Sequence, residues 1–201
     1  AYRFLANDEV EWADILARLS DFPTVEQDGP LDGAQDKRRR FRACEGGTGS
    51  SRDAVGLDWV MVHALVYPAT NIGLSSPPER LAMVRDDMLG WGDSAWVSHG
   101  NAFQTVMIGG ARVGLDPNFL LAKARQVIEK RSPPNLWITA AGGALETCSG
   151  IPGLINEMML QTDRGVTRVF PVFPADQAAS FRRLRTFGAL VVSSEIDHGK
   201  I

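Results

Sequence analysis

The chain has 201 residues, 44% of them apolar and 22% charged, with 20 Gly and 11 Pro, a globular balance that excludes disordered, collagenous and many-module organisations. Twenty-one Lys and Arg against 24 Asp and Glu leave a formal net charge of −3, which excludes the basic balance of a dedicated nucleic-acid binder and favours small neutral or polar ligands. No run approaches the roughly 18 apolar residues of a membrane helix, and no charged-then-apolar signal segment opens the chain.

Trp12, Ile15, Leu16 and Leu19 recur at helical spacing, with Asn7 and Asp8 available as caps and Phe22-Pro23 as the stop. Residues 24–52 are polar, contain five glycines and lose all periodicity, which predicts a long loop. Val55 to Tyr67 is apolar and reads as a buried helix or strand ended by Pro68. Ser76-Pro77-Pro78-Glu79 puts Ser at the N-cap, Pro at the first helical position and Glu at the third, a capping box ahead of Leu81, Val84, Met88 and Leu89.

Phe103, Val106, Met107 and Gly110 form the next stripe, which Gly114 closes in a left-handed cap. Asp116-Pro117 restarts a helix lined by Leu120, Ala124, Val127 and Ile128, making an αα-hairpin. Ile151, Leu154, Ile155, Met158 and Met159 again have helical spacing, with Pro152 near the predicted start. The character then changes: Val166 to Phe173 and Phe187 to Ile196 are β-branched and aromatic and read as strands. Glu195 to Lys200 reads as strand, Gly-containing turn and returning strand, so a fragment of a larger protein is expected. Helices followed by strands predict a mainly α segment over 1–163, carrying the polar loop 24–52, and the truncated start of a β domain over 164–201.

Cys44 and Cys148 are the only cysteines and lack metal-ligand spacing, so the chain implies neither a zinc site nor a disulfide framework. The two thiols are either idle or paired across a long loop. No dinucleotide, Walker, nucleophile-elbow or zinc-protease motif is present, and no cofactor is implied. Chemistry is left to isolated carboxylates. The most informative is Glu146, alone in the Gly-rich run Ala140 to Gly153 that feeds a helix N-terminus. Free backbone donors and the helix dipole favour its ionised form, which suits a general base. The competing reading is that Glu146 caps or packs.

His63, in an apolar run, is a core histidine or a site residue. Trp91, Asp93, Trp96, His99 and Asn101 combine aromatic and hydrogen-bonding groups, of which Trp96 and His99 are either sugar contacts or core. Asn156 and Glu157 read as cap or packing partners. Lys37 to Arg42 is the one basic run, read as a solvated loop face rather than a phosphate site.

Gly143 to Gln161, with Asn156-Glu157-Met158-Met159-Leu160-Gln161 at its core, resembles glycoside hydrolase family 95, the α-L-fucosidases and α-L-galactosidases. Gly165 to Pro174, Tyr67-Pro68-Ala69-Thr70-Asn71-Ile72-Gly73, Gly114 to Pro117 and Leu184 to Ala189 carry the likeness further. The resemblance implies the C-terminal part of an (α/α)6 barrel followed by the first strands of a β-sandwich. It implies inverting hydrolysis of an oligosaccharide or polysaccharide, with Glu146 at the position of the family's catalytic Asp. It also implies a general acid and assisting Asn side chains upstream of residue 1, within the remainder of the same polypeptide, and a secreted or periplasmic location. His63 falls near the family's sugar-binding region, and His63, Trp96 and His99 are the expected substrate contacts. No metal, nucleic acid or membrane partner is expected. Glu146 replaces an Asp, and Leu57 to His63 replaces an Arg-His-x-Ser-His-like run, so fucose specificity does not follow. The alternative function is a non-catalytic carbohydrate-binding or scaffold protein of the same architecture.

Overall fold

The computed structural model describes residues 6–28, 37–41, 64–90, 93–97, 103–135, 137–138 and 145–201. Among these, helices are α1 (Ala6–Arg18), α2 (Pro78–Leu89), α3 (Asp93–Val97), α4 (Phe103–Arg112), α5 (Pro117–Arg131) and α6 (Leu145–Met159). Strands are β1 (Thr24–Asp28), β2 (Lys37–Phe41), β3 (Leu160–Asp163), β4 (Val166–Val169), β5 (Ala179–Thr186) and β6 (Leu190–Ile196). They pair as three separate two-stranded antiparallel sheets, β1 with β2, β3 with β4 and β5 with β6.

Among the described residues helix accounts for 45% and strand for 22%, a mixed α and β content rather than a mainly α one. Neither an (α/α)6 barrel nor a β-sandwich is present among the described residues. The physical reason lies in the strands: each pair is closed by its own partner, and no two of the three pairs join into a larger sheet.

Two apolar clusters hold the described residues. In the larger one α4 is central, burying Val106, Met107 and Ala111 among Val84 and Met88 of α2, Leu120 of α5 and Leu154 of α6. Gly110 and Gly153 allow this closeness, since a Cβ at Gly153 would stand 2.6 Å from Ile108 Cδ1. The smaller cluster gathers Leu160, Phe170, Phe181 and Ile196 under the β3–β4 and β5–β6 pairs.

Several local expectations shift. Residues 24–52 are not wholly loop, because β1 and β2 pair with Glu26 opposite Arg39 and Val25 opposite Arg40. Within the basic run Arg40 is 1% exposed, its Nη1 donating to Asp87 Oδ1 at 2.6 Å and its Nη2 lying 3.1 Å from Asp86 Oδ2. A paired cation satisfies a buried site that an unpaired one would not, so Arg40 is no solvated face. The expected capping box is also absent. Ser76 Oγ accepts instead from Gly73 N at 3.1 Å, and α2 starts one residue later with Pro77 as its cap. At α5 the expected cap forms, with Asp116 Oδ1 accepting from Phe119 N at 2.9 Å.

α6 begins at Leu145 and so carries Pro152 in its interior, where the ring deletes one helical hydrogen bond. Phe170 to Phe173 is not strand, because Phe170 turns out of β4 at φ 49°. The division at residue 163 falls within the β3–β4 hairpin, where Asp163 pairs with Val166. Past β6 a tight turn at His198-Gly199 brings Asp197 and Lys200 together, as the sequence predicts. Cys148 is a free thiol, and Cys44 lies outside the described residues.

Candidate functional site

Two stretches distant in sequence, the turn after Tyr67 and the β3–β4 hairpin, meet in space. Tyr67-Pro68, a cis peptide, opens a turn through Asn71 and Gly73 that lies against the β3–β4 hairpin. Asp163 Oδ2 accepts from Ser75 N at 2.7 Å, and Ser75 Oγ donates to the Asp163 carbonyl at 3.4 Å. Arg168 Nη2 donates to Ser75 Oγ at 3.0 Å, and Arg164 Nη2 donates to the Asn71 carbonyl at 3.0 Å. Gly73 is required at this contact, because a Cβ there would lie 2.8 Å from Asp163 Oδ2.

Against this turn stands the end of α6. Arg112, the last residue of α4, donates from Nη2 to Glu157 Oε1 at 3.2 Å and brings Nε within 3.2 Å of Oε2. Its guanidinium carbon sits 5.8 Å from the centre of the Tyr67 ring, within cation–π range. Gln161 ties the same elements from below, donating to the Ala111 carbonyl at 3.0 Å and the Glu157 carbonyl at 2.8 Å. Burial pushes the Glu157 carboxyl above the usual carboxylate range, with the charge of Arg112 and its hydrogen bond opposing that shift.

Beside them lies a cleft of about 570 Å3, a size suited to a small ligand. Arg112, Asn156 and Glu157 form one wall and Thr70 and Arg164 another. The β5–β6 hairpin closes it with Leu184, Arg185, Thr186 and Phe187. Thr162 Oγ1 hydrogen-bonds both Thr167 Oγ1, at 3.0 Å, and Thr186 Oγ1, which fixes the hairpin beside β3.

The residues singled out from the sequence are dispersed. Glu146 is the second residue of α6, while Glu157 is in its last turn. At 1.5 Å per residue the two are about 16 Å apart along the helix axis, so Glu146 belongs to the opposite end from the cleft. Trp96 is 1% exposed and packs edge-on to Phe119 with centroids 5.1 Å apart. A ring enclosed in the core offers no face to a sugar, so Trp96 is a packing residue and not a substrate contact. His63 and His99 lie outside the described residues, as do Trp91 and Asn101. Asn156 is exposed on the cleft, and Glu157 is the partner of Arg112.

Sequence reasoning missed Arg112, Arg185 and Phe187. Arg112 had a discoverable signal only in the motif at 156–161, whose carboxylate needs a cation once buried. Among the described residues no group of His, Cys, Asp and Glu is placed to hold a metal, and no helix is long and apolar enough to cross a membrane. No protein-family model matches the chain, and no curated protein matches it either.

Proposed function

We propose that the chain belongs to a carbohydrate-active enzyme that hydrolyses a glycosidic bond with inversion, Glu146 acting as the general base. The observation that carries this reading is the place of Glu146 in the first turn of α6, the helix that ends in the family-like Asn156 to Gln161 motif. A first-turn carboxylate is favoured in its charged form by the helix dipole, and a base must be charged to act.

In the reaction the Glu146 carboxylate takes a proton from water as the water oxygen attacks the anomeric carbon. The bond from that carbon to the leaving oxygen breaks, and a separate carboxylic acid gives its proton to that oxygen. Charge and atoms balance, and the anomeric configuration inverts.

The test is hydrolysis of a panel of aryl glycosides by the intact protein and by Glu146→Gln, with circular dichroism to show that both are folded. A loss of at least a hundredfold in kcat is expected, since general-base catalysis contributes about 10²–10⁴-fold. Near-wild-type turnover in the variant overturns the assignment. Sugar binding without turnover in either protein replaces it with the non-catalytic, carbohydrate-binding reading.

A further inference from the structure

The cleft at the C-terminal end of α6 takes no part in the chemistry assigned to Glu146, which lies about 16 Å away along the helix. Its charges are unevenly committed. Glu157 is held by Arg112, and Asp163 is buried with Oδ2 on Ser75 N. The cations are freer. Arg185, in the outward-facing part of β5, is exposed and has no side-chain partner among the described residues. Arg164 is exposed too, and uses only Nη2, on the Asn71 carbonyl, which leaves its other N–H donors available.

Beside them, at the turn of the β5–β6 hairpin, Phe187 is 85% exposed although it lines the same cleft. The turn itself is fixed by Gly188 at φ 84° and Ala189 at φ 60°, so the ring is presented on a tight turn between paired strands. Thr70 and Asn156 add a hydroxyl and an amide to the walls. An aromatic face with neighbouring hydrogen-bonding groups matches the two sides of a pyranose, its C–H face and its hydroxyls. The unpaired Arg185 guanidinium, with the remaining N–H donors of Arg164, matches a carboxylate, which Arg engages in planar two-point hydrogen bonds.

We propose that this cleft is a binding site for an acidic oligosaccharide, a uronate-bearing chain whose carboxylate is taken by Arg185 and Arg164 while a sugar ring lies on Phe187. The choice of a carbohydrate rests on the proposed function, whereas the choice of an acidic one rests on the arginines alone.

Calorimetry of the chain with tetragalacturonate tests it, with maltotetraose and inorganic phosphate as comparison probes. Tetragalacturonate is expected to bind at least tenfold more tightly than either, and more weakly as salt is raised, because the contact is between exposed charges. Arg185→Ala and Phe187→Ala should each weaken it at least tenfold. Both residues are exposed on the hairpin, so neither change removes core packing. No binding of tetragalacturonate, or binding that both variants retain in full, overturns the proposal. Equal affinity for maltotetraose overturns the acidic specificity, and equal affinity for phosphate overturns the sugar. Glycoside cleavage without binding in this cleft would count against the cleft alone. Binding here with full turnover by Glu146→Gln would count against Glu146 alone.

Discussion

Glu157 stands between opposed influences: burial raises its carboxyl above the ordinary value of 4.5, while the Arg112 guanidinium draws it back. Because the folded-state value is raised, the folded protein keeps the proton to higher pH than the unfolded chain does. The contribution to stability is therefore complete below about pH 4.5 and is lost as pH rises through the raised folded-state value. Glu157→Gln removes the titration. The urea midpoint of the wild type, measured relative to that of the variant, is expected to fall as pH rises from 4 towards neutrality. A relative gain instead would mean that the attraction of Arg112 outweighs burial. At this scale the sequence was only partly legible. Asp116 acts as a cap because its partner is three residues away, and the signal is local. Arg40 reads wrongly as solvated, and Trp96 stays open between sugar contact and core, because what decides them, Asp87 and Phe119, is distant in sequence.

At the scale of elements, α4 and α6 pack closely because Gly153 exposes backbone to Ile108. A Cβ at Gly153 would stand 2.6 Å from Cδ1 and 2.9 Å from Cγ1 of a side chain that is only 6% exposed. Gly153→Ala has two effects of opposite sign. Helix propensity gains about 1 kcal/mol, whereas overpacking a filled core costs about 1–3 kcal/mol. Two close atoms in a buried neighbour make overpacking the larger effect, so a net loss of roughly 1 kcal/mol is expected in urea unfolding. A more stable variant would show that Ile108 has room to turn away. The helices with apolar periodicity, α2, α4, α5 and the second half of α6, were legible from that period. The β1–β2 pair was not, since strands of five residues rich in Arg, Glu and Gln show no alternation of apolar and polar residues. β5 was hidden by its own irregularity: the register slips between Phe181 and Leu184, with Arg183 at φ 56°, which breaks the two-residue period. The stripe on α1 illustrates the converse, for Trp12 and Leu16 on the helix and Leu19 just past its end are each more than 60% exposed although the helix forms as the periodicity predicts.

Across the whole molecule, the change from helices to strands after α6 was legible, but the β1–β2 pair between α1 and α2 interrupts the expected order, and the assembly of the strands was hidden because pairing depends on contacts that composition does not encode. The cleft has the same origin: Thr70, Arg112, Glu157 and Phe187 come from four separate stretches, and only their packing makes them neighbours. The apolar joint between the helical cluster and the strand cluster is narrow, although Gln161, Asp163, Arg164 and Arg168 add hydrogen bonds beside it. α6 passes directly into β3 at Met159 and Leu160, and Phe173 packs on both clusters, meeting Phe170 with centroids 5.5 Å apart. Truncating Phe173 should therefore loosen the coupling between them more than it loosens either interior. Phe173 is half-buried, so Phe173→Ala should cost less than the about 3–5 kcal/mol of a fully enclosed phenylalanine. Its distinctive effect should appear in native-state hydrogen exchange, where amides of β5 and β6 exchange through a smaller opening while those of α4 and α6 keep most of their protection. Equal loss of protection in both regions would mean that the clusters unfold as one unit, with Phe173 an ordinary member of a single core.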